Sequence, residues 1–524
     1  MAAVEWAASA LFSGPATFMA GLRTCRRCHA RSARRATARL GRRTTLAEIR
    51  RRRRHHSSDH DGGWRACDLL QPGRCRQPVP AAGHTCTALP PGPQGLARPA
   101  RHFQPRPTVR GVLSMQTTLS EHARTLPRAE EAERILRSCV HCGFCNATCP
   151  TYQLLGDELD GPRGRIYLIK QVLEGQQVTE KTRLHLDRCL SCRNCETTCP
   201  SGVDYHNLLD IGRAAVEALV PRPLGQRLLR EGLRQVIPNA GLFRLLTGMG
   251  MKFRPLLPQT LAIKLPATVH PAGLRPSTRH ARQALLLEGC VQPGLSPNTN
   301  AATARVLDRL GIGITAVGNA GCCGAVDYHL NAQEAGLGRA RRNIDAWWPA
   351  LEGGAEALIQ TASGCGAFVK DYGHLLRHDP AYADKAERIS ACTKDLVEVL
   401  RDEPLETLGI RVDTRLAFHC PCTLQHAQKL GGEVERVLTR LGFNLTQVPD
   451  GHLCCGSAGT YSITQPALAR QLRDNRMNAL ESGKPQVIAT ANIGCQTHLA
   501  SANRTAVRHW IELIDEALGT PESR

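Results

Sequence analysis

The first 114 residues contain no lysine, no tyrosine and no asparagine. They carry 21 arginines, 5 acidic residues and ten prolines, and their few apolar residues keep neither a helix nor a strand period. Such a stretch cannot bury enough surface to offset its ordering entropy; a disordered, low-complexity extension is expected over 1–114. Long apolar runs are missing too: no window offers 18 charge-free apolar residues with flanks suited to spanning a bilayer, so no transmembrane helix is expected. A credible nucleotide fingerprint is also lacking. The loose Gly-x-Gly-x-x-Ala from Gly311 to Ala316 follows a helical pattern and precedes a strand, the reverse of the order that dinucleotide binding needs. No flavin or nucleotide is expected on this chain, and no catalytic residue stands out.

The formal net charge is +21, a balance that suggests nucleic acid or an acidic membrane. Its distribution undoes that reading. Residues 1–114 contribute +16 and the rest of the chain +5, so no nucleic-acid partner is expected; an iron–sulfur nucleic-acid sensor using the basic arm is the alternative. Three readings of the arginine-rich segment compete: an organelle transit peptide, a nucleic-acid arm around Arg50 to His56, and a start placed too far upstream. Met115 opens the amphipathic run MQTTLSEHARTLPRAEEAERILRSC, which favours the last. Cys25 to His29 has haem-attachment spacing, but residues 1–22 lack the basic flank of a secretory signal, so chance is the better reading.

Cysteine is abundant, with 23 residues. Two segments repeat one pattern fifty positions apart: CVHCGFCNATCP from Cys139 to Pro150 and CLSCRNCETTCP from Cys189 to Pro200. Each reads Cys-x2-Cys-x2-Cys-x3-Cys-Pro, the bacterial ferredoxin spacing for a 4Fe–4S cluster, in which the fourth cysteine serves the other cluster. One cluster is therefore assigned to Cys139, Cys142, Cys145 and Cys199, the second to Cys189, Cys192, Cys195 and Cys149. Zinc prefers cysteine pairs at wider separation, and a disulfide framework gives no reason for a repeat ending twice in proline. Electron transfer is the implied task. A helical domain is expected over 115–232. Its GPRGR run, Gly161 to Arg165, either turns two cations toward the clusters or forms a solvated turn. Residues 233–280 read as a linker, whose GLFRLLTGMGMKFRPLLP either lies at a membrane surface or packs against the body.

The remainder is a duplicated unit, with boundaries expected at 281–405 and 406–524. LLLEGC ends at Cys290, GCCG holds Cys322 and Cys323, and TASGC ends at Cys365. The second copy has LAFHCPC ending at Cys422, LCCG with Cys454 and Cys455, and TANIGC ending at Cys495. The offset is 132 at three of these points and 130 at the fourth. Each copy reads as strand, helix, strand, Cys-Cys-Gly, long helix and strand, the alternation of a parallel α/β sheet, with the single cysteines at strand carboxyl ends, where such sheets place their sites. These eight cysteines either bind metal or take part in redox chemistry, or they are structural buried thiols.

Two ferredoxin motifs followed by two Cys-Cys-Gly units resemble the family that includes the iron–sulfur subunits of glycolate oxidase, anaerobic glycerol-3-phosphate dehydrogenase and succinate or heterodisulfide reductases with CCG domains. The run from Met115 through RILRSCVHCGFCNATCPTYQLLGDELDGPRGRIYLIKQVLEG is most similar to glycolate oxidase iron–sulfur subunits. The resemblance implies a helical two-cluster ferredoxin domain followed by a duplicated α/β CCG domain. It further implies flavoprotein partners that oxidise glycolate, quinone as acceptor, and a cytoplasmic place, peripheral at the inner face of the cytoplasmic membrane. Lactate and glycerol-3-phosphate dehydrogenases share the architecture and stay open as alternatives. Family members with a non-cubane cluster close each unit with Cys-x2-Cys. Here Ala362 and Asn492 stand at the first of those positions, so each unit has four cysteines rather than five, and a further iron–sulfur centre there is left open.

Overall fold

A computed structural model describes residues 115–256, 269–410 and 412–519. The arginine-rich segment, the Cys25 to His29 spacing and the expected disordered extension lie outside the described residues.

The cysteine motifs sit among short helices. Ala129–Ser138 leads into Cys139, Phe144–Ala147 carries Cys145, and Pro150–Leu155 follows Cys149. Pro162–Leu173 and Glu180–Asp187 lead to the second motif, whose Cys195 lies on Asn194–Thr198; Tyr205–Leu219 closes the group. The periodicity is plain in Ala129–Ser138: Ala132, Ile135 and Leu136 are buried, acidic Glu130 and Glu131 occupy the first turn, and Arg137 sits in the last, as the helix dipole favours. These side chains pack on Ile169, Leu173, Leu186, Leu208 and Leu209. The 233–280 segment is helical over Ala240–Lys252, and Phe243 there joins Leu233, Ile237 and Leu295 in a core that also holds Cys290 and Cys322. Packing on the body is thus the outcome for this face.

Each CCG unit is a parallel four-stranded sheet. In the first, β1 (Arg282–Leu286), β2 (Ile312–Ala316), β3 (Leu358–Gln360) and β4 (Thr393–Asp395) lie in the order β2-β1-β3-β4. In the second, β5 (Arg415–His419), β6 (Asn444–Leu445), β7 (Val487–Thr490) and β8 (Val507–His509) repeat it as β6-β5-β7-β8. Ala284, Leu285 and Leu286 in succession are buried, as a strand covered on both faces requires. The fourth strands, TKD and VRH, are too short and polar to read from sequence. The copies pack reciprocally. Asn298–Arg309, after β1, lies on Trp510–Ala517, after β8, while Leu396–Leu400, after β4, meets Glu433–Arg440, after β5. One core spans both units, from Leu286 and Val306 to Phe418 and Trp510. Arg305 ties the first of these pairs to Asp515 at 2.5 Å.

Candidate metal centres

The two ferredoxin loops turn in the same way. His141 and Gly143 have φ of 56° and 85°, and Ser191 and Arg193, fifty positions later, have 52° and 61°. Left-handed residues at these places fold each loop back and free its N–H groups for sulfur; Ser191 N–H donates to Cys189 Sγ at 3.4 Å. The halves differ after the fourth cysteine. Cys149 caps a helix begun by Pro150, whereas Pro200 starts a turn and the next helix begins at Tyr205. Only the first Cys-Pro therefore opens a helix directly; after the second, Ser201, Gly202, Val203 and Asp204 intervene, and Gly202 has a φ of 63°.

The motif helices lie side by side, with Asn194 Nδ2 donating to Thr148 O at 3.0 Å and Thr198 Oγ1 to Thr148 Oγ1 at 3.1 Å. This crossing sorts the thiols. Burial, then Cys139, Cys199 and Cys142, pushes the Cys145 thiol up to about 12. Cys139, Cys142, Cys145 and Cys199 line one small cavity, which Cys195 of the other set also borders. Burial also raises Cys192 and Cys195, and both sense Cys189 and Cys149. Each motif's last cysteine thus stands with the other motif's first three.

Both cations of GPRGR face these loops. Arg163 pairs with Glu158 at 2.6 Å, and its guanidinium lies over Gly143, where a Cβ would meet Nη1 at 2.3 Å. Arg165 is fully buried. It donates to Cys149 Sγ at 3.9 Å, His185 O at 2.8 Å and Thr151 Oγ1 at 3.2 Å. Asp160 balances it at 3.5 Å and also binds His185 at 3.1 Å and Arg188 at 2.7 Å. Tyr205 Oη and Arg213 complete the second loop, reaching Cys189 Sγ at 3.7 Å and Cys189 O at 2.8 Å.

The eight CCG cysteines, Cys290, Cys322, Cys323, Cys365, Cys422, Cys454, Cys455 and Cys495, open with Cys189 onto a single cavity of about 260 Å³. They follow the carboxyl ends of β1, β2, β3, β5, β6 and β7. Cys422 and Cys454 bring their sulfurs to 3.9 Å, and the Gly456 N–H donates to Cys454 Sγ at 3.4 Å. Behind each Cys-Cys pair the chain must turn against a helix backbone. Gly324 (φ 98°) and Gly456 (φ 86°) allow it; a Cβ would stand 2.5 Å from Gly336 O and 2.8 Å from Ala469 O respectively. The units meet where Ser363 N–H donates to Ala491 O at 3.1 Å and Gly364 N–H to Asn492 Oδ1 at 3.3 Å. Asn492, in place of a cysteine, turns its Nδ2 to Cys495 Sγ at 3.5 Å. The ferredoxin half reaches the second unit directly: Asn194 Nδ2 donates to His452 O at 3.1 Å, Tyr461 Oη to Arg188 O at 3.1 Å, and Leu190 packs with Cys454, Tyr461, Cys192 and Cys422.

None of the eighteen cysteines in the described residues forms a disulfide. All-sulfur donor sets, with N–H groups aimed at sulfur and buried arginines beside them, fit iron–sulfur clusters. Sequence reasoning passed over His419, Arg476 and Asp160. Setting LAFHC against LLLEGC would have flagged His419, because the other copy has Leu287 there.

Residues 135–203 match a 4Fe-4S dicluster domain, and residues 284–370 and 416–500 each match a cysteine-rich domain, CCG. The chain is 72% identical over 404 residues to the glycolate oxidase iron-sulfur subunit of Escherichia coli, covering 77% of this chain and 99% of that protein. It is 29% identical over 431 residues to a probable glycolate oxidase iron-sulfur subunit of Bacillus subtilis, covering 75% of this chain and 96% of that one. Lactate utilization protein A of Geobacillus thermodenitrificans is 30% identical over 210 residues, 38% of this chain and 82% of that protein.

Proposed function

Because the chain belongs to the family of glycolate oxidase iron–sulfur subunits, we propose that it relays electrons from glycolate-oxidising flavoprotein subunits to a quinone. Cys139, Cys142, Cys145 and Cys199 hold one 4Fe–4S cluster in this reading, and Cys189, Cys192, Cys195 and Cys149 the other. Bound clusters of this kind supply one-electron carriers, which divide the electron pair a flavin takes from a 2-hydroxy acid. Arg165, Arg213 and Tyr205 favour negative charge on the inner set through a buried cation and hydrogen bonds to its loop.

One observation carries the proposal: the thiol sets adjoin one another, Cys195 bordering the cavity of the first set and Cys189 that of the CCG cysteines. Cys142 is exposed at one end. Cys192, in the second set, packs at the other end beside Cys422 and Cys454. An exposed terminus suits docking of a flavoprotein, and a buried one keeps reduced centres from water.

Residues 115–232 then form the cluster-binding domain, with 281–405 and 406–524 as the CCG units. Quinone implies a membrane face. No helix among the described residues is long and apolar enough to cross a membrane. The helix Ala240–Lys252 and the turn after it leave Leu245, Met249, Phe253 and Leu256 exposed, at helical spacing beside Arg244, Lys252 and Arg254, a pattern suited to an anionic lipid surface on the cytoplasmic side.

The test is anaerobic mixing of the full chain with its flavoprotein subunits and glycolate. Reduced-cluster paramagnetic signals should appear, then vanish when a quinone analogue is added. Failure of either step removes that end of the relay. Lactate in place of glycolate tests the other substrate that relatives suggest.

A further inference from the structure

The two CCG units are copies, so each residue of one has a counterpart in the other. Leu287 follows β1 and corresponds to His419 at the end of β5, each three residues before a site cysteine, Cys290 or Cys422. The long helices are Gln333–Glu352 and Pro466–Glu481, and Gly324 faces Gly336 O on the first as Gly456 faces Ala469 O on the second. The buried positions Gly336, Asn343, Ile344 and Trp347 fall on Ala469, Arg476, Met477 and Leu480. Asn343 therefore corresponds to Arg476.

The first unit is neutral at this place. Leu287 lies in an apolar core with Cys323, and Asn343 accepts from Gly321 N–H at 2.9 Å and donates to Cys322 O at 3.0 Å. Arg339, whose charge acts on Cys322, is already matched by Asp327 at 2.5 Å.

The second unit is charged. His419 is 1% exposed and Arg476 3%. Arg476 Nε donates to His419 Nδ1 at 3.1 Å, and Nη1 to the carbonyls of Pro449 at 3.3 Å and Asp450 at 2.8 Å. Among the described residues no ion pair within 4.0 Å joins Arg476 to a carboxylate; Glu435 lines the same small cavity, and its Oε2 has no hydrogen-bond partner. Arg476 Nη2 and His419 Nε2 have no hydrogen-bond partner. The His419 ring and the sulfurs of Cys455 and Cys495 gather within 4.8 Å of one another. A guanidinium keeps its protons, so Nδ1 is the accepting nitrogen and the neutral ring carries its hydrogen on Nε2. A buried cation without a paired anion is strongly unfavourable, and negative charge on the sulfurs beside this pair would offset that cost.

We propose that the second CCG unit is built for a net-anionic metal–thiolate centre on Cys422, Cys454, Cys455 and Cys495, with Arg476 as its counter-charge and His419 as an N–H donor to sulfur. The first unit has neither residue, so the two sites are inequivalent. The inference deepens the relay reading and rests on it for its meaning: the charged site is the one beside Cys192, in line with the ferredoxin loops. His419 and Arg476 are positioning residues that act through the thiolates.

The full chain, purified anaerobically, tests this by iron, zinc and sulfide analysis with redox-poised spectroscopy. Metal beyond the two 4Fe–4S clusters should disappear in Cys455→Ser and persist in Cys323→Ser; sulfide distinguishes an iron–sulfur centre from zinc. His419→Leu combined with Arg476→Asn imports the residues of the first unit. It should weaken retention of that metal against a chelator by about 10- to 100-fold, while Arg476→Lys preserves much of it. The two ferredoxin signals, unchanged in all of these, report that the chain is folded. The proposal is overturned if wild type holds no metal beyond those clusters, if Cys323→Ser and Cys455→Ser lose metal equally, or if the double exchange leaves retention unaltered. In each of these cases glycolate-driven reduction of the ferredoxin clusters would still stand or fall separately.

Discussion

Arg165 Nη1 and Cys149 Sγ lie 3.9 Å apart in the interior, although Cys149 closes the first cysteine motif and the guanidinium belongs to the surroundings of the second. Sequence order and spatial membership disagree at this cysteine.

The first expected outcome follows from that disagreement. Cys149→Ser and Cys189→Ser should perturb one and the same paramagnetic signal, and Cys199→Ser should group with Cys139→Ser. Low-temperature spectra of the four variants decide it; Cys149→Ser grouping with Cys139→Ser would mean that each motif is self-contained.

Arg165→Met removes a buried cation next to the second thiol set. Its midpoint potential should fall, because the reduced, more negative state loses its counter-charge. Asp160 retains Arg188 and His185, so the stability loss should lie near the lower end of the range for breaking a buried pair, about 3 kcal/mol. A redox titration and a denaturant melt measure the two effects; an unchanged potential would remove Arg165 from the relay.

Glu131 joins the ferredoxin half to the first CCG unit. Burial opposes its charge, but hydrogen bonds from His374, Arg128 and Arg377 hold its carboxyl well below the usual range. A depressed acid stabilises the fold fully above its ordinary pKa, about 4.3, and progressively less as pH falls toward the folded value. Glu131→Gln should therefore cost roughly 2–3 kcal/mol at pH 7, with the difference from wild type shrinking below pH 4. Paired melts across that window check the sign.

Gly324→Ala and Gly456→Ala should each destabilise the chain by at least about 1–2 kcal/mol from the left-handed backbone alone, and more from the collision with Gly336 O or Ala469 O. Denaturation midpoints report the cost. A neutral result would mean that the turn behind the paired cysteines tolerates a side chain.

The architecture was legible because its signals are local or repeated. The Cys-Cys-Gly spacing recurs in register, and the apolar run Ala284 to Leu286 declares a covered strand. TKD and VRH escaped notice because a three-residue edge strand is set by its neighbour, not by its own composition. Arg165 sits in a run that the sequence left open between a solvated turn and a cation facing thiolates; only the position of Asp160, five residues earlier, and His185, twenty later, buries it. Arg476 looks like any arginine on a polar helix. Its burial comes from the helix phase relative to the loop at Pro449 and Asp450, and no short window contains that phase.

The reciprocal packing of the CCG units, with Asn298–Arg309 on Trp510–Ala517 and Leu396–Leu400 on Glu433–Arg440, is the arrangement of a two-fold dimer joined into one polypeptide. A dimer of separate identical chains is bound by its symmetry: any substitution beside one active cavity is made beside the other as well. Tandem fusion lifts that constraint. One copy can acquire an imidazole and a guanidinium while the other keeps leucine and asparagine, so direction along the pair becomes something that point mutation can write.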